Sequence, residues 1–356
     1  MNYSNLQVAW KNLFLKSSGD HGTLAFFKAK LSRSPVPNKE PKKDVNASID
    51  FLNTVVKGHW LACACDVLEI PDLDAHITLP PDLKKASPVE QLHFIETISE
   101  QVVERLTLVS AAFSRQPTQD DGDTAFNYAR ILCHYGSLVV EFRDAWAEGD
   151  GDRILQCWKL FMPHFQMAGS SKYALEALRL QFQVGVVLSP NLAHQIKWNR
   201  FVNTKGGSGR NIPCDLFNEH MNKLIKDIIL HMGPNLTENA LKKAVRSVSS
   251  IQTICERFDK ETGVPVITSA HSTVSDTSDI RKTVSVVRNY KLLNPIPSRK
   301  HSSFPRLKLD PLHKWDKEKA KTWINEKKTT YLKFLGKFRS TANGESDGET
   351  DDSSEN

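Results

Sequence analysis

The sequence predicts a mainly α protein: a multi-helix globular body with few short strands. Three observations predict it. Apolar residues recur at helical spacing along most of the chain, capping residues bracket those runs, and only two stretches carry a strand pattern. With 40% hydrophobic and 25% charged residues over 356 positions, there is material for a real core.

The elements follow in order. "MNYSNLQVAWKNLFLK" reads as an amphipathic helix. It has no charged n-region, apolar core or small-residue cleavage site, so no secretory signal is expected. No apolar run approaches the roughly 20 residues of a membrane span. An intracellular protein, nuclear or cytoplasmic, is the expectation, and the sequons at Asn46 and Asn235 carry no weight. In "SSGDHGTL" (17–24), Asp20 can cap the helix "TLAFFKAKL"; equally, it can serve as a metal ligand or base. Loops are expected at 33–43, where three prolines fall, at 115–123 and at 202–211.

"SPVEQLHFIETISEQVVERLTLVSAAF" is the clearest helix. Ser87 and Glu90 form a capping box and Pro88 takes the first helical position. "DTAFNYARILCHYGSLVVEFRDAWAE" is a second long helix, stopped by Gly149 and Gly151. "RILQCWKLFMPHF" and "SKYALEALRLQFQVGVVL" are two more. In "TENALKKAVRSVSSIQTICERF", Thr237 caps and Leu241, Val245, Val248, Ile251, Cys255 and Phe258 make the apolar stripe. The strand patterns are "VPVIT" (264–268) and "TVSVVRNY" (283–290). The six cysteines lack zinc-finger spacing and read as reduced core residues.

Charge divides the chain. Residues 281–340 hold seventeen Lys/Arg against four acids, while 341–356 hold six acids and no Lys or Arg. The organisation read from this is a helical domain over 1–290, a basic arm with a helix over 291–340, and an acidic tail at 341–356 whose polar composition predicts disorder. A basic block invites nucleic acid as a partner. Its plain alternative is a solvated helix whose apolar residues dock on the body.

Most of the candidate chemistry lies in "GGSGRNIPCDLFNEHMNK" (206–223). On a helical wheel over 215–232, Phe217, Met221, Leu224, Ile225, Ile228 and Met232 share one side. Asp215, Glu219, Asn222 and Lys226 stack in a column on the other. Two carboxylates a turn apart can share a divalent cation, and Mg²⁺ suits oxygen ligands. A solvated helix face, acidic at its positive end, explains the column as well. The preceding glycine loop fits neither a dinucleotide fingerprint nor a P-loop. Its Lys205 and Arg210 can contact a phosphate at the helix start, or the segment is simply a loop. His134, His164 and His194 read as core or surface residues on helices.

Several stretches, in order, carry a resemblance: "DHGTL", "EPKKDVNA", "AWAEGDGDRILQCWK", "KYALEALRLQFQ", "LSPNLAHQIKWNRFVNTKGGSGRNIPCDLFNEHMNK" and "HMGPNLTENALKKAVRSV". Over roughly residues 1–290 the chain resembles the domain of unknown function 6589 family, whose members look like components or relics of transposable elements. Fuller members begin with a segment containing Gly-Asp-Gln. No such tripeptide occurs here, and the start resembles the middle of that pattern, which implies truncation at the N-terminus. If the family is a nuclease of the ribonuclease-H kind, this chain holds a helical insertion and a remnant of that α/β fold. Asp20 and Glu219 would then be two of three catalytic acids, the third lying in the missing segment. Two-metal phosphoryl transfer needs carboxylates that hold both ions in line.

The resemblance therefore predicts a nucleic-acid-associated domain that does not cut on its own. Its rivals are a competent Mg²⁺-dependent nuclease and a helical interaction scaffold. Incubation with DNA in Mg²⁺ or Mn²⁺ should give no products; cleavage that disappears in Glu219→Ala would establish the nuclease instead.

Overall fold

The structure is a computed structural model and describes residues 2–13, 19–33, 36–37, 40–80, 82–106, 122–204, 206–235, 237–262 and 276–344. Helices take up 71% of it, about twice the roughly 30–35% of an ordinary globular protein, so the mainly α expectation holds. Among the described residues there are twelve helices and two short strands.

Two long helices form the centre. Helix α3 (Val45–Val67) starts at Asp44, whose carboxylate accepts from Ala47 N–H at 3.0 Å. Helix α5 (Thr124–Glu148) is buried on nearly every side over its first half, as an apolar helix surrounded by others must be. Helix α1 (Asn2–Leu13) lays Leu6, Ala9, Trp10 and Leu13 against α5, and α2 (Leu24–Lys30) inserts Phe27 beside α3. Helix α4 (Pro88–Leu106) packs on the other flank of α3 through Val102 and Leu106. Its capping box forms as predicted, with Ser87 N–H donating to Glu90 at 2.8 Å and Glu90 N–H to Ser87 Oγ at 3.4 Å.

After α5 the chain reverses. Gly149 adopts a left-handed φ of 76° and Asp150 caps α6 (Gly151–Met167), the break that the glycine cluster predicted. Ile154, Cys157, Trp158, Phe161, His164 and Phe165 give α6 a buried stripe at helical spacing. Helix α7 (Ser171–Phe182), a π-turn over Gln183–Val187 and α8 (Pro190–Trp198) extend this layer. The expected loop at 202–211 is the tip of a small antiparallel ribbon, β1 (Phe201–Val202) with β2 (Ile212–Pro213). This ribbon is the whole sheet among the described residues, so no ribonuclease-H-like sheet appears there. Helices α9 (Cys214–Met232) and α10 (Glu238–Thr262) then pack on each other. No described residue of α9 is fully buried.

One strand expectation is wrong and the other lies outside the described residues. "TVSVVRNY" belongs to α11 (Thr277–Asn289), while 264–268 is not described. The β-branched residues favoured a strand locally, but Thr283, Val284 and Val287 also fall at helical spacing. Burying that face against α3 outweighs the local preference. Arg33 ties the start of α11 through Asp279, 2.8 Å away.

Residues 290–316 then run irregularly over the body to α12 (Lys317–Gly344). This charged helix docks through its apolar residues, as expected. Trp315 Nε1 donates to Gln166 at 2.7 Å, Ala320 is buried, Trp323 packs on the main core, and Tyr331 stacks on Phe182 with centroids 5.6 Å apart. The tail beyond 344 lies outside the described residues. The cysteines whose side chains are described (63, 65, 133, 157 and 214) are all free thiols, as expected.

The seam between α3 and α11 is tight. A Cβ on Gly58 would collide with the Cγ2 and Cβ of fully buried Thr283. Gly58→Ala should therefore destabilise the protein by about 1 kcal/mol, overpacking of ~1–3 kcal/mol outweighing ~1 kcal/mol of helix propensity. Denaturant unfolding measures this, and Gly58→Val should cost more.

Candidate functional site

The sequence-predicted residues separate into two places. Asp20 is 9% exposed and spent on a contact far away in sequence. Ser302 N–H and Oγ–H donate to its Oδ1 at 2.9 and 3.0 Å, and Ser303 N–H donates to its Oδ2 at 2.7 Å. Burial alone would raise the Asp20 carboxyl, but these donors win and hold it at about 2. Asp20 is not the cap of α2: Thr23 is, its hydroxyl accepting from Phe26 N–H at 3.2 Å. Thr23 lies next to the helix, so its hydroxyl reaches the first N–H groups, while the Asp20 side chain is drawn to Ser302 and Ser303.

Asp215 and Glu219 stand on α9 with Asn222 and Lys226, all four exposed. The Asp215 carboxylate accepts from the neighbouring Leu216 N–H at 3.0 Å. Arg210 is exposed at the ribbon tip, and Lys205 lies outside the described residues. The tip is pinned to the end of α5, where Ser208 Oγ donates to Glu148 at 3.0 Å and Asn211 Nδ2 to the Ala147 carbonyl at 2.8 Å. Gly206, Gly207 and Gly209 all take positive φ, which explains the glycines by backbone shape. Among the described residues, no three His, Cys, Asp or Glu side chains gather to hold a metal ion.

Two groupings escaped sequence reasoning. The first surrounds Asp123, the N-cap of α5. Its Oδ1 accepts from Ala125 and Phe126 N–H and from Arg299 Nε; its Oδ2 accepts from Ile296 N–H and Arg299 Nη2, both at 2.7 Å. Burial works against its charge, but Arg299 and the backbone donors keep the carboxyl below its ordinary value. Arg299 also donates to the Tyr290 carbonyl at 2.6 Å, and Asn127 Nδ2 donates to that of Leu307 at 2.8 Å. The cap was legible, since an acid precedes an apolar helical run. The arginine 176 residues away was not.

The second grouping joins α5 to α6. His134 Nε2 and His164 Nε2 are 3.2 Å apart, and the other nitrogen of His164 is 3.0 Å from Tyr135 Oη. His164 is 2% exposed; burial, helped by His134, pushes it down to about 3. Burial also lowers His134, against the pull of Asp310, and raises the Tyr135 hydroxyl. All three are therefore neutral near pH 7. His134 lines a cleft of about 350 Å³ together with Trp60, Cys133, Ser137, Glu141 and Leu160. Burial holds the Cys133 thiol up at about 12, so it stays protonated. No spacing rule links His134 to His164; only the docking of the two helices does.

Fold and site together define a mainly α domain closed by carboxylate clasps, with the half-buried His134 paired to the buried His164 between two of its helices. The chain belongs to a family of unknown function, DUF6589, whose profile matches residues 1–271. No curated protein and no solved structure matches it. No helix among the described residues is long and apolar enough to cross a membrane.

The Asp20 clasp has a pH signature. Its folded-state value lies below the unfolded one of 3.8, so its stabilisation is complete above pH 4 and fades as pH falls towards 2. Asp20→Ala should lower stability at pH 7 by about 3 kcal/mol, because charged hydrogen bonds are lost and buried donors are left unpaired. Most of that difference should vanish near pH 2, as urea titrations of both proteins would show.

Proposed function

We propose that this is a transposable-element-derived domain that binds nucleic acid and does not cut it on its own. One observation carries the reading: the exposed lysines of α12. Lys317, Lys321 and Lys328 fall within about 40° of each other on the helix and run about 16 Å along its axis. All three are exposed and pair with no carboxylate among the described residues, whereas Lys319 is held 3.5 Å from Asp316. A duplex presents roughly ten backbone charges over that length. Docking through Trp315, Trp323 and Tyr331 fixes the backbone that carries the exposed lysine column, so the helix itself need not be ordered when a phosphate backbone arrives.

The transposable-element part of the reading rests on the likeness of the family's members, and the lysines stand without it. A nuclease built on Asp20 and Glu219 would require Asp20 to release Ser302 and Ser303 before it could bind Mg²⁺. A scaffold reading is favoured by a different feature. An apolar groove of about 560 Å³ runs along α4, lined by Leu68, Ile77, Leu79, Leu83, Phe94 and Ile95.

Affinity for a mixed-sequence DNA duplex, measured by fluorescence anisotropy, should fall linearly on a log–log plot against salt. Replacing Lys317, Lys321 and Lys328 together by glutamine should flatten the slope by about 2.7, close to 0.9 for each lost phosphate contact. Binding that ignores salt, or an unchanged slope in the triple variant, would remove the reading.

A further inference from the structure

The geometry points to a transition-metal site between His134 and His164, selective for a borderline divalent ion of the Zn²⁺ class. It is independent of the nucleic-acid reading and of the α9 carboxylates. The two Nε2 atoms face each other at 3.2 Å, at the long end of the hydrogen-bond range. Zinc–nitrogen bonds of about 2.0–2.1 Å at a tetrahedral angle hold two nitrogens about 3.3 Å apart. The observed separation therefore suits an ion placed to one side of the line joining the two nitrogens.

The surroundings match what such an ion needs. His164 has its second nitrogen on Tyr135 Oη at 3.0 Å, the outer contact that fixes the ring orientation and tautomer of a metal-binding histidine. The His134 side opens on the 350 Å³ cleft, which gives the ion a way in and supplies water for the remaining positions. Charge is balanced from two directions: Glu141 lines the same cleft, and Asp310 lies near enough to favour a positive His134. Imidazole donors with water select zinc, cobalt or nickel over magnesium and calcium, which prefer oxygen ligands.

Calorimetric titration of the full chain with ZnCl₂ and with MgCl₂ tests this. One Zn²⁺ per chain should bind with no matching Mg²⁺ signal, and Co²⁺ should give visible d–d absorption that Zn²⁺ removes. His134→Asn, at the half-exposed end, should retain the helical circular dichroism of the wild type and lose at least tenfold in affinity. Tyr135→Phe, which keeps both ligands, should lose about tenfold. Glu219→Ala should bind as the wild type does. Absence of stoichiometric Zn²⁺ binding by the wild type would overturn the site and leave a simple imidazole–imidazole hydrogen bond. Unchanged affinity in folded His134→Asn, or a loss in Glu219→Ala instead, would overturn it as well, since the ion would then lie elsewhere.

Discussion

Asp123 accepts five hydrogen bonds, and much of the architecture depends on that carboxylate. Two come from the exposed N–H groups at the start of α5, where the helix dipole favours a negative charge. Three come from the far end of the chain, from Ile296 N–H and the Arg299 guanidinium. One side chain thus begins the central helix and anchors the segment that crosses over it. A buried carboxylate without such partners would be costly; fully paired, it ties two distant parts of the sequence to one point. Thr124 continues the seam, its N–H donating to the Arg299 carbonyl at 2.9 Å and its hydroxyl accepting from His301 N–H at 2.7 Å. Asp20 repeats the device a few residues further along the same segment.

The clasps place the other features. With residues 290–307 held over the start of α5, the chain reaches Trp315 and turns into α12 against α6 and α7. The lysines of α12 stay exposed beside its docked aromatic side. The α5–α6 hairpin, tightened by Gly149 and Asp150, brings His134 beside His164 in a core otherwise filled by Phe142, Trp158, Phe161 and Phe165. His164 is tolerated in that core because both of its ring nitrogens have partners within reach.

How much of this was legible follows from the range of each interaction. Ser87 with Glu90, and Gly149 ahead of Gly151, announce helix boundaries because their effects act within one turn. Thr283 to Tyr290 misled because a β-branched run meets both patterns, and only the face of α3 decides between them. Asp20 was visible as a polar residue of consequence, but its partners are 282 and 283 residues away. Asp215 and Glu219 were the conspicuous acids, and the fold leaves them exposed on α9. His134 and His164 read only as core or surface residues on helices, because no local pattern distinguishes paired histidines from solitary ones.

The family profile ends at residue 271, while Ser302 and Ser303, which hold Asp20, and Ile296 and Arg299, which hold Asp123 from across the fold, all lie beyond it. The matched stretch therefore stops short of residues that belong to the main core, Val284, Val287 and Leu292 among them. A fragment trimmed to the profile would strip α3 of the covering Thr283, Val284 and Val287, open Asp20 to water without its serine donors, and take the Arg299 guanidinium from Asp123.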